Sequence, residues 1–343
     1  MFCARAGASR VYAVDASAII GKARANVARN GLSDTITCVH GKIEDVVLPG
    51  LSSSAEGPYV DVIVSEWMGY CLLFEAMLPS VLWARDRYLR PATGLLVPSH
   101  TTMRVAPVAD PEWFAEYGRA FWTDVYGFDM RAVARGLEDE VRVIQWGGDG
   151  VASSFPSSSS STTTTTAATT TTTEEAFKVL DLYTVTTADL SFTAPFKTTL
   201  NRAIDTLDGF VVWFDTFFSP RRSGHETQVQ PGDEPQTWAK QTVKDEGGDR
   251  VAFTTAPWAT PTHWKQGLLI CKYGDDGVGV VDEEKEGSKK EGEEGDKPVA
   301  MKKGEEIKGE ITFGINEENA RGLTIRMEWE WEGGRKKQTW ELK

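Results

Sequence analysis

Cysteine is scarce in this 343-residue chain: Cys3, Cys38, Cys71 and Cys271 are scattered, and no Cys-x-x-Cys spacing occurs. That pattern argues against a zinc site or a disulfide framework and fits a reducing compartment, so no metal and a cytoplasmic or nuclear location are expected. No apolar run approaches the ~18 residues a membrane helix needs. The N-terminal stretch Met1–Ala8 is too short, and interrupted by Arg5, to be a secretion signal. Positive charge is also in deficit, with 37 Lys and Arg against 50 Asp and Glu and a net charge of −13. A general nucleic-acid binder needs a basic face, so none is expected here. An acidic surface favours basic protein segments as partners, or simply keeps the protein in solution.

What is present suffices for two domains, or for one with large insertions, with 41% of residues hydrophobic. Arg10–Asp15 reads as a strand ending in an acid. Ser17 can cap a helix whose apolar stripe is Ile19, Ile20, Ala23, Val27 and Ala28 and which Asn30-Gly31 ends. Thr35–His40 is a second strand, and Val60–Ser65 a third that reads as buried. This alternation predicts a parallel α/β sheet. A helix is predicted over Pro79–Tyr88 and a turn over Leu89–Gly94. From about Leu95 the pattern alternates, predicting antiparallel strands at Thr101–Val105, Val179–Tyr183, Phe210–Phe217, Gly267–Cys271 and Leu323–Trp331.

Between these strands, 111–135 reads as helical and is rich in large rings: Trp113, Phe114, Tyr117, Phe121, Trp122, Tyr126 and Phe128. Such a patch often marks an interface; burial against the same chain is the plainer alternative. Low-complexity insertions are read at 151–173, 223–250 and 282–304. The first centres on Ser157–Thr173, which holds only Ser, Thr and Ala and has too little apolar surface to order itself.

The richest chemistry lies in Ser65–Leu78, a short apolar and aromatic loop with Glu66 and Glu75 near its ends, directly after a predicted strand. Carboxylates at such a place are costly to desolvate without a cationic partner. A guanidinium is planar, permanently charged and matched to carboxylates, so the loop reads as an arginine pocket. Two unrelated acids, one of them a helix cap, are the alternative that the spacing alone leaves open. Asp15, at the carboxyl end of its strand, stands where open α/β sheets commonly hold ribose hydroxyls, or it caps the next helix. Glu44, in Gly41-Lys42-Ile43-Glu44-Asp45, either accepts from an adenine amino group or is a plain loop acid.

The whole loop Ser65–Leu78 resembles the double-glutamate loop of the protein arginine methyltransferases, in its type I form. Pro261-Thr262-His263-Trp264-Lys265-Gln266 is similar to that family's Thr-His-Trp loop, and Tyr126-Gly127-Phe128-Asp129-Met130 to its dimerisation-arm segment. The motifs fall in the family's order, from about Phe2 to Trp331. The resemblance implies a class I, Rossmann-like α/β methyltransferase domain over 1–95. An all-β barrel domain would follow over 96–343, with a helical dimerisation arm at about 111–135. It further implies transfer of methyl groups from S-adenosylmethionine to arginine nitrogens, giving mono- and asymmetric dimethylarginine. Glu66 and Glu75 would bind the substrate guanidinium, and His263 would line the active site. Asp15 would hold the ribose of S-adenosylmethionine, and Ile43 and Glu44 its adenine. Trp67, Met68, Tyr70, Met77 and Trp264 would shape the substrate pocket. Gly/Arg-rich proteins, histones among them, are the implied substrates and a homodimer the implied assembly.

The chain departs from the family at its start. The family's first strand and glycine-rich turn would precede Met1, and no Gly-x-Gly occurs before Gly21. An N-terminally truncated chain is therefore expected, with an incomplete methyltransferase domain and a gap at the centre of its sheet. Two alternatives to arginine methylation stand beside it: a non-catalytic interaction module, and a methyltransferase acting on a small molecule, against which the paired glutamates and the Thr-His-Trp loop argue.

Overall fold

The computed structural model describes residues 1–51, 57, 59–153, 175–220, 222, 228–241, 250–273, 298, 300–316 and 318–343. After a single turn, α1 (Phe2–Arg5), the chain forms β1 (Val11–Asp15), α2 (Ile19–Arg29), β2 (Ile36–His40), β3 (Val62–Val64), α3 (Leu78–Tyr88) and β4 (Leu95–Val97). β1 pairs in parallel with β2, from Val11 opposite Ile36 to Asp15 opposite His40. β3 pairs in parallel with β4, Val62 opposite Leu95. These are two separate two-stranded sheets, so the expected single parallel sheet is divided where a gap was expected.

The division corrects the reading of Val60–Ser65 as a buried strand. Ladder pairing on one side only leaves Val62 and Val64 46% and 59% exposed. Helix α2 likewise buries a narrower stripe than expected. Ile20 and Val27 are buried and Ala23 half-buried, while Ile19 and Ala28 face out. The helix starts one residue after Ala18, and the Ser17 hydroxyl accepts from the Ile19 amide at 3.4 Å. On its inner side the unit packs Leu48, Leu51, Ala84 and Tyr88 against Tyr12, Val39 and Ile43.

The rest is antiparallel: β5 (His100–Val108), α4 (Pro111–Tyr117), β6 (Arg142–Ile144), β7 (Lys178–Asp181), β8 (Phe192–Thr199), β9 (Gly209–Phe218), α5 (Pro235–Lys240), β10 (Val251–Thr254), β11 (Gln266–Ile270), β12 (Glu306–Ile315), β13 (Leu323–Trp331) and β14 (Gly334–Leu342). One sheet runs β6-β11-β9-β5-β7, with β10 on β9, and the other β14-β13-β12-β8. β5 is buried along its whole length although it carries His100 and Arg104, the latter paired with buried Asp215 at 2.7 Å. β12 and β13 alternate, with Ile307, Ile311, Phe313, Ile325, Met327 and Trp329 turned inward, as one-sided burial requires. The architecture is the expected Rossmann-like unit followed by a β-barrel-like unit. The two β-sheets share one core but, among the described residues, are not hydrogen-bonded into a closed ring; isolated bridges such as Ser153–Leu200 and Glu140–Glu341 link their borders.

The arm differs from a continuous helix over 111–135. Only Pro111–Tyr117 is α-helical, capped by Asp110, whose carboxylate accepts from the Trp113 amide. Gly118 then turns extended, and two 3₁₀ turns, Arg119–Thr123 and Arg131–Ala134, flank a reverse turn at Val125–Phe128. Large aromatic residues have low helix propensity, and a glycine lowers it further. Tyr126 is 98% exposed and Phe128 69%.

Of the three insertions, 154–174, 242–249 and 274–297 lie outside the described residues, as do 223–227. The flanks belong to the core: Val151 and Ser153 are buried, Trp238 of α5 packs edge-on against Phe217, and Met301 is buried.

Candidate active site

The loop from Glu66 to Glu75 returns on itself. The Gly69 amide donates to the Leu72 carbonyl at 2.9 Å, and the Phe74 amide to the Tyr70 carbonyl at 3.2 Å. A side chain at Gly69 would begin 2.0 Å from the Phe74 carbonyl oxygen, so the return requires glycine there. Trp67, Met68, Cys71, Leu72 and Leu73 bury themselves beneath the loop, while Tyr70 stacks on Phe74 with centroids 5.9 Å apart. The apolar residues anchor the loop, and the two glutamates are left on its arms, Glu66 exposed and Glu75 half-buried.

Cys71, Leu72, Glu75 and Ala76 all lie in the left-handed backbone region, with φ of 48°, 69°, 75° and 51°. For non-glycine residues this costs on the order of 1 kcal/mol each and persists only where the surroundings impose it. Much of that restraint comes from the antiparallel unit. The Glu75 amide donates to the Arg321 carbonyl at 2.8 Å, and Arg321 Nη2 donates to Glu75 Oε2 at 2.9 Å. Helix α3, which begins just after Met77, is held by Arg85 Nη1 donating to the carbonyls of Leu182 and Val185 at 2.8 and 2.7 Å.

The Thr-His-Trp loop meets this one directly. Trp264 Nε1 donates to the Met68 carbonyl at 2.7 Å. Its indole stacks on Phe253, centroids 5.4 Å apart, and meets Phe214 edge-on at 5.7 Å. His263 is exposed and lies against Trp264 with ring centroids 3.9 Å apart. Glu66, Trp67, Met68, Tyr70, Glu75, Met77, His263 and Trp264 are thus carried by two loops joined through one hydrogen bond.

The predicted nucleoside-binding residues gather at the carboxyl ends of β1 and β2. The Gly41 amide donates to the Asp15 carbonyl at 3.1 Å, joining the two strand ends. Asp15 does not cap α2. Its Oδ1 accepts from both the amide and the hydroxyl of Ser17, each at 2.7 Å. Those two bonds hold the Asp15 carboxyl below the usual range, with a smaller contribution from nearby His40, so it is ionised at neutral pH. Both fall on Oδ1, which leaves Oδ2 for a diol hydroxyl. Ile43 packs on the core beside Leu48, and Glu44 Oε1 accepts from Ser80 Oγ of α3 at 2.6 Å, so Glu44 also ties this corner to α3. An ionised, outward carboxylate beside an apolar side chain and a second acid fits the adenosine part of S-adenosylmethionine. Among the described residues no cluster of His, Cys, Asp and Glu is arranged to hold a metal.

Sequence reading missed Arg321, Ser80 and Phe253. Arg321 is 246 positions from Glu75, and nothing local to Asn319-Ala320-Arg321-Gly322 announces a role.

The fold is a Rossmann-like α/β unit followed by an antiparallel β-barrel-like unit, with the two loops meeting through the Trp264–Met68 bond. Residues 99–244 match the family model described as the arginine methyltransferase oligomerization subdomain. The chain is 34% identical to the ribosomal protein arginine N-methyltransferase rmt3 of Schizosaccharomyces pombe, covering 100% of this chain and 50% of that protein. It is 35% identical to protein arginine N-methyltransferase 1 of the same yeast, covering 95% of this chain and 72% of the relative. Among solved structures, the Trypanosoma brucei PRMT1 enzyme-prozyme heterotetrameric complex with AdoHcy is 27% identical with a TM-score of 0.71, covering 100% of this chain and 84% of that one. The chain belongs to the protein arginine N-methyltransferases, a family of enzymes, and spans half the length of rmt3.

Proposed function

We propose that this chain methylates arginine side chains of proteins with S-adenosylmethionine, forming mono- and asymmetric dimethylarginine. The single observation that supports it most is the 2.7 Å bond from Trp264 to the Met68 carbonyl, which couples the double-glutamate loop to His263 and Trp264. Glu66 and Glu75 would hold the guanidinium by charge-assisted bonds and draw its positive charge away from the attacking nitrogen. A guanidinium pKa above about 12 makes that polarisation, not deprotonation beforehand, the useful contribution. Orientation and preorganised charge would supply most of the rate. Trp67, Met68, Tyr70 and Met77 would shape the pocket and exclude water, and His263 would line it. Asp15 would hold the ribose and Ile43 and Glu44 the adenine of the donor, whose sulfonium supplies an electrophilic methyl when bound.

The acidic chain suits flexible Gly/Arg-rich segments, histone tails included, in the cytoplasm or nucleus. The exposed Tyr126 and Phe128 suit a homodimer formed through the arm. A second reading, an interaction module without turnover, is favoured by one observation: β1 and β3 do not share a sheet, so the donor side lacks the rigid floor on which such sites are built.

The test is transfer of a radiolabelled methyl group to an Arg-rich peptide and to its Lys counterpart. Transfer to the arginine peptide alone, abolished by Glu75→Gln, is expected. Retained activity in Glu75→Gln contradicts the assigned role, and absence of transfer to either peptide favours the interaction module.

A further inference from the structure

We propose that Arg321, in the turn between β12 and β13, is a positioning residue that sets the Glu75 carboxylate for its guanidinium ligand; this rests on the arginine-methylation reading above. Two contacts from one residue reach Glu75. The Arg321 carbonyl accepts from the Glu75 amide at 2.8 Å, and its Nη2 donates to Glu75 Oε2 at 2.9 Å. The first fixes the main chain of a residue in the left-handed region, at φ 75° with Ala76 following at 51°. The second fixes where the carboxylate points.

The turn that presents Arg321 is itself built to hold still. Asn319 Oδ1 accepts from the Arg321 amide at 3.0 Å, and the Asn319 carbonyl accepts from the Gly322 amide at 2.8 Å. Asn316 Oδ1 accepts from the amides of Glu318 and Asn319, at 2.9 Å each, and the Asn316 amide donates to the Gly322 carbonyl at 3.1 Å. Both ends of the turn continue into paired strands, Ile315 opposite Leu323. Through these bonds among its described residues the turn offers Arg321 from a hydrogen-bonded support, as a group that orients another needs.

An exposed ion pair alone would mean little, and the Arg321 side chain is 68% exposed. Here the pair is in register with a main-chain bond to the same residue, at the point where the loop's backbone most needs restraint. The guanidinium engages Oε2, which leaves Oε1 and the Glu66 carboxylate to face a substrate. A competing idea has Arg321 occupying the substrate's own place on Glu75. The two differ in sign: a positioning residue strengthens substrate binding, and an occupant weakens it.

The full chain is compared with Arg321→Gln and Arg321→Lys, both of which keep the carbonyl contact. Hydrogen exchange at the Glu75 and Ala76 amides is read by NMR, with β9 amides as the internal control. Binding of a Gly-Arg-Gly-Gly peptide is read by calorimetry. In Arg321→Gln, exchange at Glu75 is expected to rise and peptide affinity to fall, each by roughly three- to tenfold, with β9 unchanged and partial recovery in Arg321→Lys. Unchanged exchange at Glu75 overturns the proposal, and so does tighter peptide binding by Arg321→Gln, which would make Arg321 an occupant. If no form, wild type included, binds the peptide or transfers methyl, the arginine-methylation reading of this chain fails. The exchange comparison then still decides whether Arg321 orders Glu75.

Discussion

Replacing Trp264 by phenylalanine removes a single donor from the joint between the two loops. The indole N–H bonds the Met68 carbonyl at 2.7 Å in a part-buried joint, with Met68 itself buried and Trp264 half-buried. A net hydrogen bond contributes about 1 kcal/mol, whereas removing one partner and leaving a largely buried carbonyl unsatisfied costs about 1–3 kcal/mol. A phenyl ring keeps much of the stacking on Phe253 and the edge contact with Phe214, so little apolar contact is lost. The expected destabilisation is therefore about 2 kcal/mol, a factor of roughly thirty in the folding equilibrium. For a protein of this size that lowers the thermal midpoint by about 3 °C. Thermal unfolding followed by circular dichroism measures it, and the same sample tests methyl transfer. Loss of the joint is expected to lower transfer more than stability, because Glu66 and Glu75 ride on the freed loop. A midpoint within about 1 °C of wild type would refute the reasoning, since it would mean the bond restrains nothing.

Other perturbations probe separate parts of the structure. Gly69→Ala places a methyl 2.0 Å from the Phe74 carbonyl oxygen, so the return of the loop must open; about 2 kcal/mol of destabilisation and loss of arginine-peptide binding are expected by calorimetry. Asp208 has its carboxyl pushed up to about 6, first by desolvation and then by nearby Asp110, against the hydrogen bond from the Asp110 amide. Its folded-state value exceeds the unfolded one, so the protonated form favours folding, and stability is lost as pH rises from about 4 through 6. With solvent screening at this half-buried site discounted, the loss is about 1–2 kcal/mol. Asp208→Asn should therefore flatten the difference in urea midpoint between pH 4.5 and 7.5; an identical pH profile would contradict it. Replacing Tyr126 and Phe128 together by serine should weaken self-association by about tenfold or more in sedimentation equilibrium, while the thermal midpoint of the dilute protein stays put.

Much of the fold was readable because its signals are local. The β1–α2–β2 alternation, the α3 boundaries and the inward alternation of β13 follow from apolar periodicity within a dozen residues. The arm shows where that reasoning fails. The segment 111–135 reads as helical, yet Gly118, Gly127 and bulky side chains of low helix propensity give short turns after Tyr117. Val62 and Val64 look like core residues in sequence, but burial depends on what lies across the sheet, and β3 has a ladder on one side only. Asp15 and Glu44 stand at the predicted strand ends, yet their partners, Ser17 and Ser80, were decided by side-chain geometry.

By itself, the sequence determined which chemistry is available: two glutamates on a glycine-turned aromatic loop, a Thr-His-Trp segment, and an acid ending a strand. These depend on residue type and short spacing, which folding cannot change. Only the tertiary structure decided which groups meet. Trp264 reaches Met68 across 196 positions and Arg321 reaches Glu75 across 246. Such contacts follow from the register of β12 on β13 and of β9 on β11, together with the core packing that seats the loops above them. Contacts between residues so far apart are set by packing over the whole molecule, and no local pattern encodes them.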